Sequence, residues 1–227
     1  MTQTAEHDTQ LDADVYRVLL VDDHDLFRTG LRTLLEEQGV DVIGEASGGA
    51  EAVRFVRELS PDVVVMDLNM PGMSGTEATR QITSVAPLTR VHVLTISDQD
   101  ADVMDAILAG ACGYLLKDAS IEELIRGIRS ASVGESLISP HIASKVLQRV
   151  RASSTEPGVA ETIRSELSDR EIQVLKLIAN GKDNAQIAGE LHISPKTVKN
   201  HISNILMKLQ IENRIQAAVY AVRSGIV

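Results

Sequence analysis

Residues Val63 to Gly75 read VVVMDLNMPGMSG. Four apolar residues in succession suit a strand covered on both faces, as in a parallel sheet. Pro71, Gly72 and Gly75 mark the loop that follows. Ligands of open α/β sheets bind beyond the carboxyl ends of the strands, so Asp67 stands where chemistry is done. Taken alone, an Asp at a strand end caps a turn more often than it reacts. Its neighbours along the chain change that balance.

The same pattern recurs on either side. RVLLVD (17–22) and Val40 to Glu45 precede it; RVHVLT (90–95) and GYLLK (113–117) follow. Helical patterns separate these runs, the first with Leu26, Leu31, Leu34 and Leu35 on one side, and Asp41 between two valines marks the second strand as a less buried edge. Five β-α units in a row predict an α/β fold, a flavodoxin-like doubly wound five-stranded parallel sheet, because each parallel crossover needs a helix to bring the chain back. All strand ends of such a sheet lie on one edge. Asp22, Asp23, Asp67, Thr95 and Lys117 therefore converge. Clustered carboxylates repel one another and hold a cation, and a small all-oxygen set suits Mg²⁺. The cation would bridge to a phosphoryl oxygen while Thr95 and Lys117 serve the others. Asp67 is then the nucleophile and an aspartyl phosphate the product. A Mg²⁺-dependent phosphatase would use the same nucleophile, but such enzymes commonly carry a second acid two residues on, where this chain has Asn69.

Composition narrows the rest. At 227 residues, with 44% hydrophobic and 24% charged residues, the chain has room for two soluble domains. The lone Cys112 can form no internal disulfide, and no apolar run reaches membrane-spanning length, which together predict a cytoplasmic protein with no membrane partner. Residues 1–15 read as a disordered acidic extension without signal-peptide features. The six histidines show no metal-like spacing. The net charge of −10 is uneven: residues 1–140 hold 24 acidic against 10 basic residues, whereas residues 165–227 hold 6 against 8. A nucleic-acid partner must meet the C-terminal part.

That part carries only helix signals. Ser168 and Glu171 form a capping box, and the helix they open stops at Gly181; Asp183 and Gln186 begin a short second helix; His192 to Ser194 form a turn; Ser194 with Pro195 starts a third. Val198, Ile202, Ile205, Leu206 and Leu209 are its buried stripe. Its other face bears Lys196, Lys199, Asn200, Ser203 and Lys208 without an acid. Three lysines alone describe a solvated face, but a short helix, a tight turn and a basic, amide-bearing helix describe a helix-turn-helix. The last helix, from Asn213, has two apolar stripes. Ile215, Ala218, Val219 and Val222 are expected to face the local core, leaving Ala217, Tyr220 and Ala221 for pairing between two copies.

On these residues the chain resembles a known family. VDD, DLNMPGMSG, LT and GYLLKD are similar to the receiver domain of two-component response regulators, and LSDREIQVLKLIANGKDNAQIAGELHISPKTVKNHISNILMKL resembles the four-helix LuxR-type DNA-binding domain. Together they look like the NarL/FixJ class: an extension 1–15, a receiver over 16–135, a linker with a short helix from Ser139 and Pro140 over 136–164, and a helix-turn-helix domain over 165–227. The resemblance implies that a sensor histidine kinase phosphorylates Asp67, controlling dimerisation and transcription at target promoters. Asp23, Asp67 and the Asn69 backbone carbonyl would bind Mg²⁺, with Asp22 assisting through water. Thr95 and Tyr114 match the family's switch pair; Tyr114 also suits simple core packing, and both readings can hold. Lys199, Asn200 and Ser203 would face base edges, and Lys196, Thr197 and Lys208 would lie near phosphates. The partners implied are the kinase, double-stranded DNA, a second copy of the chain and RNA polymerase. Beyond its own phosphotransfer and dephosphorylation, such a protein is no enzyme. Asp118 departs from the proline that many receivers carry after the lysine.

Overall fold

The computed structural model describes residues 16–132, 135–138, 142, 145–146 and 166–226. The N-terminal extension, and the linker helix expected from Ser139 apart from Ile142, Lys145 and Val146, lie outside them.

Strands β1 (Arg17–Val21), β2 (Asp41–Ala46), β3 (Val63–Met66), β4 (Arg90–Thr95) and β5 (Gly113–Leu116) alternate with helices α1 (Asp25–Glu37), α2 (Gly49–Leu59), α3 (Gly75–Val85), α4 (Asp100–Leu108) and α5 (Ile121–Ser132). All pairings are parallel, in the order β2-β1-β3-β4-β5. The expected edge strand is at the edge, and the strand order reverses beside β1 and β3, where a crevice opens at the carboxyl ends. Side chains alternate across the sheet. Val18, Leu20, Val63 and Val65 pack towards α1 and α5, while Leu19, Val21, Val64 and Met66 pack towards α2 and α3. Burial on both faces is why these strands are continuously apolar. In the first helix the expected stripe is half right. Leu35 is buried and Leu31 joins the core, but Leu26 is 90% exposed and Leu34 also points outward, their places being taken by Phe27.

The C-terminal domain contains α6 (Asp169–Ala179), α7 (Asn184–Leu191), α8 (Pro195–Leu209) and α9 (Arg214–Arg223). Each begins where its cap predicts. Ser168 and Asp183 form reciprocal boxes with Glu171 and Gln186, Ser194 accepts from the Thr197 N–H ahead of Pro195, and Asn213 accepts from the Gln216 N–H. Each such cap is worth about 1 kcal/mol. Val174, Leu175, Ile187, Val198, Ile205 and Leu209 fill the centre.

Ala218 packs on the local core as expected, but otherwise the two stripes of α9 sit the other way round from the expectation. Ala217 and Ala221 are 0% exposed in the core of the helical domain, and Tyr220 packs beside them. Ile215 and Val219 instead join Val103, Met104, Ile107 and Ala111 of the receiver, with Tyr114, Ile142 and Val146 in the same cluster. Methyl-sized side chains let α9 approach α6 closely, whereas the bulkier ones have a second domain to cover them. Polar contacts seal the joint. Asn213 Nδ2 donates to Ala111 O at 3.0 Å and Gln216 Nε2 to Ile107 O at 2.9 Å, the latter a second bond to a carbonyl at the end of α4 that also accepts from the Gly110 N–H. Asn184 bridges Glu135 at 2.8 Å and Arg214 at 2.7 Å. Among the described residues no helix is long and apolar enough to cross a membrane.

Candidate functional site

The loop after β3 is shaped by close approach. Gly75 N donates to Leu68 O at 3.0 Å, and a Cβ on Gly75 would lie 1.9 Å from Asp67 O, so only glycine lets the loop close there. Gly72 turns the loop at φ +79°. Asp67 ends up 3% exposed.

The strand ends bring its partners to it. Lys117, just past β5, places Nζ 2.7 Å from Asp67 Oδ2 and 2.6 Å from Asp22 Oδ2. The same ammonium lies 4.5 Å over the ring of Phe27, a residue the sequence reading did not single out and whose only signal was its place in the first turn of α1. Burial opposes the charge on Lys117, but hydrogen bonds to Asp22 and Asp67 outweigh it and raise its pKa above the usual lysine value. Asp22 is fully engaged, since its other oxygen accepts from the His24 N–H at 2.9 Å. Asp23 Oδ1 is buried without a hydrogen bond, although His24 Nδ1 is 2.9 Å away. One Lys117 ammonium against three carboxylates leaves an excess of negative charge. Two carboxylates about 4 Å apart near a protein surface repel by roughly 4 kcal/mol. Ligand atoms of Asp22, Asp23, His24 and Asp67 all lie within 4.8 Å of one another. The orphaned Asp23 oxygen, the hard oxygen donors and the unbalanced charge fit a small divalent cation. His24 is the member that spacing missed, because its partners come from β1 and β3 rather than from other histidines.

Beside this cluster, Thr95 is fully buried and its Oγ1 accepts a long bond from the Ser97 N–H at 3.4 Å. Ser97 O accepts from the Tyr114 hydroxyl at 2.8 Å, and the Ser97 hydroxyl bonds Asp102 at the start of α4. The Tyr114 ring is buried and its pKa is raised, by burial first and then by Asp102, Asp98 and Asp67. Tyr114 thus packs in the core with its hydroxyl held by the loop that follows Thr95. Asn69 is exposed, and its N–H reaches Asp67 Oδ1 at 3.3 Å.

A second polar surface lies on α8. Lys196, Lys199, Asn200 and Ser203 are exposed on one side of it, and the receiver packs on α9 instead. Thr197 is half-buried, with Oγ1 2.8 Å from Ser194 Oγ at the helix start. Lys208, expected near phosphates, has its Nζ 2.7 Å from Glu171 Oε2. Glu171 is buried by the capping box; burial works against its charge, but Lys208 and the Ser168 donors hold its carboxyl below the usual range. Lys208 therefore ties α8 to α6. The stripe is extended by Met207, 70% exposed four residues after Ser203.

Comparison with known proteins divides the chain at the same place. Residues 18–129 match the response regulator receiver domain, and residues 165–221 match the bacterial regulatory proteins of the luxR family. The chain is 49% identical over 212 residues to the transcriptional regulatory protein LiaR of Bacillus subtilis, covering 93% of this chain and 99% of LiaR. It is 41% identical to the response regulator GacA of Pseudomonas aeruginosa, over 93% of this chain and 97% of GacA. Among solved structures it is similar to the response regulator ChrA of a heme-sensing two-component system, with TM-score 0.51 and 36% identity, covering 94% of this chain and 99% of ChrA.

Proposed function

The chain belongs to the DNA-binding response regulators of two-component systems that join a receiver to a LuxR-type helix-turn-helix domain, and from that premise we propose that phosphorylation of Asp67 by a sensor histidine kinase controls how two copies pair on promoter DNA. The observation that carries this reading is Lys117 Nζ shared between Asp22 and Asp67, a cation already aimed at the oxygen that would take the phosphoryl group. An Asp67 oxygen attacks phosphorus, and the bond from phosphorus to the kinase histidine breaks. Lys117 and the Thr95 hydroxyl then take phosphoryl oxygens. Asp23, Asp67 and the Asn69 carbonyl would hold Mg²⁺, with Asp22 assisting through water, and the ion would supply charge to offset that of the phosphoryl group. The same pocket, once phosphorylated, can admit water and lose the phosphate again. Functioning inside the cell, with RNA polymerase as a further partner, follows from the same reading.

The output end follows from α9. Its outer face, Ile215 with Val219 and part-buried Val222, packs on the cluster that holds Tyr114 and α4. When Thr95 turns to a phosphoryl group, Tyr114 and the Ser97 loop must readjust, and α4 with them. That shift loosens α9 and frees its apolar face for a second copy. This face replaces Ala217, Tyr220 and Ala221 as the pairing surface. On each copy Lys199, Asn200 and Ser203 would read base edges and Met207 would meet a thymine methyl, while Lys196 and Thr197 contact phosphates. Lys199→Ala or Asn200→Ala should then cost about 1–3 kcal/mol on the cognate site and much less on random DNA.

The test is binding to paired and to single half-sites, with and without a small-molecule phosphodonor. Phosphorylation should raise affinity most for the paired site, and Gln216→Ala, which removes a bond across the domain joint to Ile107 O and leaves the apolar face of α9 intact, should raise it without phosphodonor. Equal affinities in all four conditions refute the switch.

A further inference from the structure

His24 has been left without a task. It is the residue preceding α1, yet its side chain makes no capping bond to that helix. The ring turns instead to the acidic pair, with Nδ1 2.9 Å from Asp23 Oδ1 and 3.3 Å from Asp22 Oδ1, although its side chain is 69% exposed and free to point elsewhere. Adjacent ligands on a divalent ion with bonds of about 2.1 Å stand about 3 Å apart. Asp23 Oδ1 and His24 Nδ1 therefore have the spacing of neighbouring ligands on one ion, with ligand atoms of Asp22 and Asp67 within 4.8 Å of both residues. Asp23 Oδ1, the buried oxygen without a hydrogen bond, is a corner of that set.

We infer that His24 Nδ1 is a nitrogen ligand of the receiver's cation site, and that the site takes borderline divalent ions such as Mn²⁺ and Co²⁺ in preference to Mg²⁺. The inference rests on the reading that Asp22, Asp23 and Asp67 hold a divalent cation. Imidazole suits first-row transition ions, whereas Mg²⁺ prefers oxygen and keeps its waters. With Mg²⁺ a water takes the place of the ring, and His24 is indifferent. With Mn²⁺ or Co²⁺ the neutral ring, its Nε2–H in solvent, completes the shell.

A competing role predicts the opposite sign. If His24 served only as an imidazolium balancing the carboxylates, removing it would leave the site more negative and every divalent ion would bind more tightly. The experiment uses the tag-free full chain at pH 7.5. Calorimetric titration with Co²⁺ and with Mg²⁺ compares the native chain with His24→Ala. Co²⁺ affinity should fall about tenfold or more while Mg²⁺ affinity changes less than about threefold. Pulsed electron paramagnetic resonance of the Mn²⁺-loaded chain should show modulation from a directly bound nitrogen, lost in His24→Ala. Tighter binding in the variant, an unchanged ratio, or a nitrogen signal that is missing from the native chain or survives in the variant overturns the assignment. Asp23→Asn separates the two levels. If it abolishes Mg²⁺ binding while the native chain shows no nitrogen signal, only the role of His24 fails; if it leaves binding intact, the carboxylate site fails and the inference with it.

Discussion

The two polar regions of this protein are built in opposite ways. The acidic pocket gathers Asp22, Asp67, Thr95 and Lys117 from four strand ends, buries Asp67 to 3% exposure and links its charges to one another. The α8 face takes Lys196, Lys199, Asn200 and Ser203 from one helix and leaves them exposed. A buried cluster is tuned by the fold and acts as a unit, so a single change there has a large effect. An exposed stripe acts residue by residue, and each change is small. Function follows the same division, with chemistry needing a dry, pre-arranged pocket and recognition needing an open surface.

The largest effect tests the buried side. Asp67→Asn should abolish phosphorylation, while the native chain gains a single phosphate from a small-molecule phosphodonor with Mg²⁺. Intact-mass spectrometry reads the difference, and undiminished labelling of the variant ends the assignment.

Next in size is a pH effect confined to the receiver. His92 is fully buried on β4, neither ring nitrogen has a hydrogen bond, and Gly113 and Gly127 leave the space its ring fills. Burial lowers its pKa from 6.5 to about 4. Because the folded value is depressed, the unfolded chain binds the extra proton first, and stability is lost as pH falls through the window from 6.5 to 4. The full loss is about 3 kcal/mol. Urea unfolding at pH 7 and pH 5 should show the receiver weakening, and His92→Val should flatten that slope. An equal slope in the variant assigns the pH dependence to other groups.

Lys208 sharpens the comparison because it is exposed on α8 and yet pairs with a buried carboxylate. Lys208→Ala leaves the buried Glu171 without its cation and should cost the helical domain about 2 kcal/mol. A residue that only met phosphate would change DNA affinity and leave thermal unfolding where it was. The smallest effect belongs to the open face. Lys196→Ala should weaken all DNA sites alike and flatten the salt dependence by about one unit, with no change in unfolding. A loss restricted to one sequence would move Lys196 among the base-reading residues.

How much of this was legible follows from the same physics. The α/β order, the edge position of β2 and the convergence of Asp22, Asp23, Asp67, Thr95 and Lys117 could be read in advance, because parallel strands put all their carboxyl ends on one edge whatever the details of packing. The helix starts at Ser168, Asp183, Ser194 and Asn213 were equally plain, since a cap acts within four residues. Phe27 under Lys117 was not, because its partner comes from the far side of the sheet, and the ring of His24 turned on Asp23 was not, because which rotamer a side chain takes toward an adjacent residue is not set by spacing.

By itself, then, the sequence determined the units: which segments are strands and helices, which carboxylate ends β3, and that α9 has two apolar stripes. Only the tertiary structure decided which stripe meets which domain. Helical periodicity says that a face is apolar, and the apolar driving force is indifferent to direction, so either stripe could have faced the local core. Close approach to α6 selected the small side of Ala217 and Ala221, and α4 of the receiver covered Ile215 and Val219. The same limit applied to Lys208, whose charge was visible in the sequence but whose partner on α6, 37 residues away, was supplied by the packing of two helices.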